Sequence, residues 1–192
     1  MPMSTFRTSN PVSAADVERA SADARPHLIL VGLPGSGKTR TGTMVAERLS
    51  RPFLDFDAEI ERREHQSVGE IFAQRGELVF RALEVRLTQE LAAASNMVLA
   101  PGGGWIVNPG CLSMLRPPAL LIYLQVRPET ALARMGGGAW RRPLLNRPDP
   151  VGELRKLLEQ RETLYLQSDH VILADKMTLA QVVDGIVALA RG

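Results

Sequence analysis

The chain has 192 residues, a length that suits one domain with a sizeable hydrophobic core. A hydrophobic content of 45%, a charged content of 23% and a net charge of +2 are ordinary for a globular protein and give little support for nucleic-acid binding. No apolar run approaches the roughly 18 residues that a membrane span needs. Cys111 is the single cysteine, which excludes a disulfide framework and fits a reducing compartment, so we expect a cytoplasmic protein with no nucleic-acid or membrane partner.

Residues 1–26 differ in composition from the rest of the chain. They are rich in Ser, Thr and Ala, and they lack both sustained apolar periodicity and the apolar centre of a secretory signal. We therefore expect a disordered N-terminal extension over 1–26 and a folded domain over 27–192.

From residue 27 onward, short apolar runs alternate with segments of helical period. This alternation predicts an α/β fold with a five-stranded parallel sheet and helices on both faces, and ligands of such sheets gather at the carboxyl ends of the strands. The predicted strands are 28–31, 52–55, 97–100, 119–125 and 170–173. The predicted helices begin near Lys38 and cover 59–64, 68–75, 77–94, 128–135, 151–167 and 178–190.

Residues 32–39 read Gly-Leu-Pro-Gly-Ser-Gly-Lys-Thr and directly follow the first predicted strand. This pattern, called the phosphate loop below, indicates a three-layer P-loop NTPase-type fold in which backbone N–H groups and a lysine hold a triphosphate. The alternative is a glycine-rich turn that binds nothing. The residues predicted to bind ATP here are Gly35, Ser36, Gly37, Lys38 and Thr39.

Two aspartates follow the second predicted strand. Many P-loop proteins hold magnesium with an acid that ends another strand, but the run 97–100 ends without one, so Asp55 and Asp57 are the candidates. Positions i and i+2 of a strand share a face. We predict Thr39 and Asp55 as Mg²⁺ ligands and Asp57 as the group that orients an acceptor hydroxyl, the alternative being that Asp57 caps the following helix.

Three glycines, residues 102–104, follow the third predicted strand and are called the glycine loop below. A linker has no obvious use there, whereas glycines let backbone N–H groups close on a ligand, so we predict contacts from Gly103 and Gly104. Arg161 falls inside the apolar stripe of its predicted helix and needs an anionic partner or a route to solvent. For Arg81, flanked by acids at i−4 and i+3, a ligand role and a solvated ion-pair ladder are equally supported.

The segment 134–150 combines a triple glycine with several arginines and prolines. It suggests a mobile lid that carries positive charge to the phosphates on closing, the alternative being a surface loop whose arginines face water. The predicted contacts of this segment with ATP are Arg134 and Arg142.

Taken together, residues 27–192 resemble the shikimate kinase family of small P-loop kinases. The resemblance rests on the phosphate loop, Asp55-Phe56-Asp57, Phe80-Arg81 with Glu84, the glycine loop, Arg142-Pro143-Leu144-Leu145, and Arg161 with Leu164-Tyr165.

The resemblance implies roles for particular residues. The equivalents of Asp57, Arg81, Gly103 and Arg161 bind shikimate in that family, the two arginines through its carboxylate and the aspartate through the hydroxyl that receives phosphate. The lid arginine, Arg142, reaches the nucleotide phosphates, and the position of Arg134 lies near the adenine.

Several residues depart from the family pattern. Trp105 stands where members carry a small residue, and we expect it to reshape the pocket wall; Pro101 also precedes the glycine loop in place of a small or hydroxyl residue. The doubled Arg141-Arg142 leaves the register of the lid open by one residue, and no C-terminal arginine for the adenine is found near 176–178.

The sequence therefore predicts a monomeric enzyme that uses ATP and Mg²⁺ to phosphorylate the 3-hydroxyl of shikimate. Lys38, Asp57 and Arg142 are its predicted catalytic residues. Two alternatives stay open at this point: a kinase-like sensor that binds an acidic metabolite without turnover, and a kinase of another small hydroxy acid such as gluconate.

Overall fold

The computed structural model describes residues 25–108, 110–136, 145 and 147–191. In these residues five parallel strands form one sheet in the order β2-β3-β1-β4-β5. The strands are β1 Leu28–Val31, β2 Phe53–Asp55, β3 Val98–Ala100, β4 Leu120–Gln125 and β5 His170–Leu173. Leu28 pairs with Val98 on one side and with Leu120 on the other, which places β1 at the centre of the sheet.

Helices cover both faces of the sheet. In the described ranges they are α1 Lys38–Leu49, α2 Phe56–Glu64, α3 Val68–Arg75, α4 Glu77–Leu91, α5 Cys111–Leu115, α6 Pro128–Met135, α7 Pro150–Tyr165 and α8 Leu179–Leu189. Short 3₁₀ turns lie at Trp105–Val107 and Ala174–Lys176. Nowhere in the described ranges is a helix long and apolar enough to cross a membrane.

Successive residues of β1 pack into two separate hydrophobic clusters because strand side chains alternate between the faces. Ile29 and Val31 join the cluster beneath α4, and Leu28 and Leu30 join the cluster beneath α1 and α8. All four are at most 3% exposed. The phosphate loop thus begins at the end of a strand that is buried on both faces.

The predicted fold class is confirmed, and the predicted strands agree with the observed ones to within one residue at each end. Three helix boundaries differ by more than one residue. Helix α2 begins at Phe56 rather than 59 because the side chain of Asp55 accepts the backbone N–H of Ala58 and starts the helix early. Helix α4 ends at Leu91 rather than 94, and helix α7 ends at Tyr165 rather than 167. Asp57 therefore lies in the first turn of a helix, so the prediction that it shares a strand face with Asp55 is wrong.

Residues 25–27 are attached to the sheet by hydrogen bonds. The carbonyl of Arg25 accepts the N–H of Asn96 at 2.7 Å, and that of Pro26 accepts Nη1 of Arg51 at 3.0 Å. Buried His27 accepts the backbone N–H of the residue before β3 at 3.2 Å, and burial lowers the pKa of its ring. Most of the predicted lid, including Arg142, lies outside the described residues.

Candidate active site

A cavity of about 850 Å³ lies at the carboxyl ends of β1, β2 and β3. Every residue predicted for the site lines it, apart from Arg142, which is outside the described residues. Those that line it are Gly35, Ser36, Gly37, Lys38, Thr39, Asp55, Asp57, Arg81, Gly103, Gly104, Arg134 and Arg161. The fold thus brings segments more than 100 residues apart in the sequence into one cavity.

The phosphate loop has a backbone that requires glycine at Gly35. Its φ is +81°, and a Cβ there would lie 2.3 Å from the carbonyl oxygen of Ala131 in α6. The Nζ atom of Lys38 donates to the carbonyls of Gly32 and Leu33 at 2.9 and 3.0 Å. The hydroxyl of Ser36 is buried and has no hydrogen-bond partner in the described part of the chain.

Thr39 and Asp55 are joined by a hydrogen bond at the mouth of the phosphate loop. The threonine hydroxyl donates to Oδ2 of Asp55 at 2.6 Å, while Oδ1 accepts the N–H of Ala58 at 3.2 Å. The helix cap that the sequence offered as an alternative for Asp57 is thus made by Asp55. One carboxylate oxygen holds the helix, and the other lies beside the threonine hydroxyl.

Two carboxylates approach the glycine loop from different helices. A Cβ on Gly102 would lie 2.8 Å from Oδ1 of Asp57 and 3.0 Å from Oε1 of Glu84. Because both oxygens would touch such a methyl group, no side chain fits at this position without displacing an acid. The backbone of the loop at Gly102 therefore packs closely against the carboxylate of Asp57.

Arg81 of α4 is held between two glutamates. Its Nε and Nη2 donate to Glu77 at 3.1 and 2.7 Å, and Nη1 donates to Glu84 at 2.7 Å. Burial alone would lower the pKa of Arg81, but Glu84 and Glu77 raise it above its usual value. The arginine side chain is 14% exposed and that of Glu84 is fully buried, so the Arg81–Glu84 pair is not a solvated one, whereas Glu77 is half exposed.

The guanidinium of Arg81 packs on the glycine loop from one side, and α7 packs on it from the other. A Cβ on Gly104 would lie 2.3 Å from Nη2 of Arg81. Across the loop, Nη1 of Arg161 donates to the carbonyl of Gly103 at 3.0 Å, and the hydroxyl of Tyr165 donates to the same oxygen at 2.7 Å. The two arginines therefore contact adjacent residues of one loop.

Glu84 is a member of the site that sequence reasoning did not assign. Burial raises its pKa to about 7; Arg81 opposes this shift, and the charge of Asp57 adds to it. Asn108 donates to its Oε2 at 3.1 Å. A signal was present, since Glu84 lies on the buried face of α4 with Phe80 and Leu87, the same anomaly that singled out Arg161.

Trp105 does not line the cavity, so the expectation that it reshapes the wall is not supported. Its side chain is fully buried behind the glycine loop, where the indole N–H donates to the hydroxyl of Thr88 at 2.9 Å and the ring meets Phe56 edge to face. It supports the loop from behind, between α2 and α4.

Arg134 joins the phosphate loop to the turn after β5. Its two terminal nitrogens donate to the carbonyls of Ser36 at 3.2 Å and Ala174 at 2.7 Å. Met177 and Leu179 also line the cavity.

Known proteins match both the sequence and the structure. The model of the family described as "Shikimate kinase" matches residues 34–191, more than four fifths of the chain. The chain belongs to the shikimate kinase family. The shikimate kinase of Symbiobacterium thermophilum is 43% identical over 163 residues, which cover 84% of this chain and 94% of that protein.

A solved shikimate kinase from Acinetobacter baumannii, in complex with shikimate, is 35% identical with a TM-score of 0.82, and the match covers 86% of this chain and 93% of that one. A gluconokinase from Sinorhizobium meliloti has a TM-score of 0.57 at 17% identity, covering 86% of this chain and 91% of its own, which is a likeness of fold alone. The predicted family and the predicted kinase activity are confirmed.

Proposed function

We infer that this shikimate kinase transfers the γ-phosphoryl group of ATP to the 3-hydroxyl of shikimate, and we propose how its residues do so. One observation supports the assignment most strongly: Arg81 and Arg161, from separate helices, contact adjacent glycines of one loop, in a cavity that also contains the phosphate loop and Asp57. Phosphoryl transfer depends mainly on positioning and charge stabilisation, and this cavity supplies both.

The nucleotide binds with its phosphates on residues 35–39. Backbone N–H groups of the loop and of the first turn of α1 donate to phosphate oxygens, and the unpartnered hydroxyl of Ser36 gains an acceptor. Lys38 exchanges its carbonyl partners for phosphate oxygens. Arg134 lies against the base, and we propose Arg142 as the further cation that reaches the phosphates.

Mg²⁺ fits beside the pair formed by Thr39 and Asp55. A hydroxyl and a carboxylate oxygen 2.6 Å apart are hard oxygen donors of the kind that this ion prefers, and Mg²⁺ usually takes only one or two protein ligands alongside phosphates and waters. The described residues contain no cluster of three acidic, histidine or cysteine side chains that could enclose a metal. When bound, the ion neutralises charge on the triphosphate.

Shikimate binds in the part of the cavity lined by Arg81, Arg161 and the glycine loop. Arg81 and Arg161 hold its carboxylate, for which a planar guanidinium is well suited, and N–H groups of Gly103 and Gly104 donate to its oxygens. Asp57 orients the 3-hydroxyl toward the phosphates and accepts its proton as the new O–P bond forms and the bond to ADP breaks.

A coupled assay of ADP release with shikimate, quinate and gluconate tests this function. We expect turnover with shikimate and much weaker turnover with the other two. Absence of ADP release with all three acids would favour a ligand sensor, and release with gluconate alone would contradict the shikimate assignment. We also propose a cytoplasmic monomer, since the described site residues come from one chain and Cys111 is a free thiol; light scattering would test the mass.

A further inference from the structure

Tyr165 lies behind the glycine loop and does not line the cavity. It is fully buried at the end of α7, stacked on Tyr123 with 5.0 Å between ring centroids. Its hydroxyl donates to the carbonyl oxygen of Gly103 at 2.7 Å, and Nη1 of Arg161 donates to the same oxygen at 3.0 Å. A carbonyl oxygen has two lone pairs, so both are occupied by donors from α7.

These two bonds fix the orientation of one peptide group. The bond between Gly103 and Gly104 is trans, so its C=O and N–H point in opposite directions. With the carbonyl directed at Tyr165, the N–H of Gly104 points away from it, and in the described part of the chain it makes no hydrogen bond to another backbone carbonyl. Both glycines line the cavity, and the guanidinium of Arg81 packs on Gly104.

A peptide between two glycines is otherwise easy to rotate, because neither residue has a Cβ that restricts its backbone. Rotation by half a turn would present a carbonyl oxygen, in place of an N–H, to an organic acid. We propose that Tyr165 is a positioning residue: its hydroxyl holds the Gly103–Gly104 peptide in the orientation that donates to the substrate. This inference rests on the proposed function, in which the glycine loop contacts shikimate.

Arg161 alone does not secure this orientation. In the proposed function its guanidinium also holds the substrate carboxylate, so the same group serves both Gly103 and a ligand that binds and dissociates. Tyr165 has no such second role. Burial raises the pKa of its hydroxyl to about 12, so this group stays protonated and able to donate throughout the range of an enzyme assay.

Tyr123 supplies a matched control. It stacks on Tyr165 and is equally buried, but its hydroxyl has no hydrogen-bond partner in the described residues. Tyr165→Phe and Tyr123→Phe therefore each remove one buried hydroxyl from the same pair of rings, and only the first removes a bond to the glycine loop. KM for shikimate, KM for ATP, kcat and melting temperature would be measured for both variants and the wild type.

We expect Tyr165→Phe to raise KM for shikimate about fivefold, equivalent to about 1 kcal/mol, with KM for ATP unchanged. Hydrogen–deuterium exchange of the glycine loop should also become faster in this variant. Tyr123→Phe should change neither quantity. Equal KM values in the two variants, or an effect confined to melting temperature, would overturn the inference. Absence of shikimate turnover in the wild type would instead contradict the proposed function.

Discussion

Asp57 lies in the first turn of α2, with Oδ1 against the glycine loop. In the proposed reaction it orients the acceptor hydroxyl, whereas the nucleotide is held by the phosphate loop. We expect Asp57→Ala to lower kcat by about 10²- to 10⁴-fold, the usual contribution of a general base, with little change in the Kd for ATP. Steady-state kinetics and calorimetry would measure the two quantities.

Glu61→Gln is a suitable control for Asp57→Ala. Glu61 lies one turn further along α2 and also borders the cavity, but its carboxylate accepts the backbone N–H of Val68 and has no proposed role in the reaction. This variant should keep most of its turnover. Loss of ATP affinity in Asp57→Ala to the same extent as loss of turnover would mean that Asp57 mainly supports the fold.

Glu84 makes stability depend on pH in a direction opposite to that of most carboxylates. Its pKa is raised by burial from 4.5 to about 7, so between these values the folded state binds a proton that the unfolded state has released. The free energy of unfolding therefore falls as pH rises from about 4.5 to about 7, by an amount on the order of 3 kcal/mol for this shift, and levels off above it.

Glu84→Gln should remove this part of the pH dependence, since a glutamine does not titrate. Urea unfolding of both proteins at pH 5, 6, 7 and 8 would show it. As pH rises, the free energy of unfolding of the variant should increase relative to that of the wild type. A constant difference across this range would mean that Glu84 stays ionised beside Arg81.

Residues with a charge in an apolar helical stripe could be found from the sequence. Arg161 was identified in this way and is 6% exposed, and the same criterion applied to α4 would have identified Glu84. Periodicity gives only the face of a helix, however. It could not show that Glu84 contacts Arg81 rather than solvent, nor that Tyr165 bonds to the glycine loop 62 residues away.

At the level of elements, the glycine loop is fixed between α4 and α7. Gly104 has φ −96° and ψ −7°, a backbone that alanine adopts readily, and the three atoms nearest to an added methyl group all belong to the guanidinium of Arg81. We expect Gly104→Ala to displace the guanidinium and raise KM for shikimate at least tenfold, a change of about 1.4 kcal/mol, with KM for ATP preserved. Kinetics with each substrate varied in turn would measure this.

Gly185→Ala provides the comparison for the same chemical change. Gly185 lies inside α8, and nothing is within 4 Å of the position where its Cβ would be. Alanine there should stabilise the protein by about 0.5–1 kcal/mol, because it restricts the unfolded chain and favours the helix, with kinetics unchanged. An unchanged shikimate KM in Gly104→Ala would show that Arg81 can move aside at no cost to binding.

The strands were predictable because each is a short apolar run. Helix boundaries were less so, since they depend on single caps: Asp55 starts α2 three residues early through one hydrogen bond. Helix α5, with five residues, and the 3₁₀ turn beginning at Trp105 are too short to show a period. Their formation depends on packing that the sequence pattern does not contain.

For the whole molecule, the order of the strands decides which motifs meet. In the sequence β3 comes 43 residues after β2, yet the two are neighbours, and β1 lies beside β3. Three motifs therefore lie together at the carboxyl ends of neighbouring strands: the phosphate loop, the two aspartates and the glycine loop. Alternation of strands and helices predicted a parallel sheet but not this order, so the grouping of site residues came from the family resemblance.

The attachment of residues 25–27 allows a prediction about the first part of the chain. We propose that the folded domain begins near Arg25, because its carbonyl and that of Pro26 are bonded to the domain. Removal of residues 1–24 should leave melting temperature and shikimate turnover close to those of the full chain. Removal of residues 1–27 should lower the melting temperature, since it also deletes the buried ring of His27.

Differential scanning calorimetry and the coupled kinase assay would compare the two truncated proteins with the full chain. Similar losses from both truncations would place a necessary part of the enzyme within the first 24 residues. No loss from either would show that the bonds of residues 25–27 contribute little.

The pairing of Arg81 with Glu77 has a consequence for inhibitor design. Glu77 is 51% exposed and already bonds to two nitrogens of the guanidinium, so in the proposed function the substrate acid replaces one carboxylate with another. Esters and amides of the substrate lack the charge needed for this exchange and would leave the glutamate in place. Compounds designed against this enzyme should therefore keep an ionised acid, and prodrug esters would gain potency only after hydrolysis.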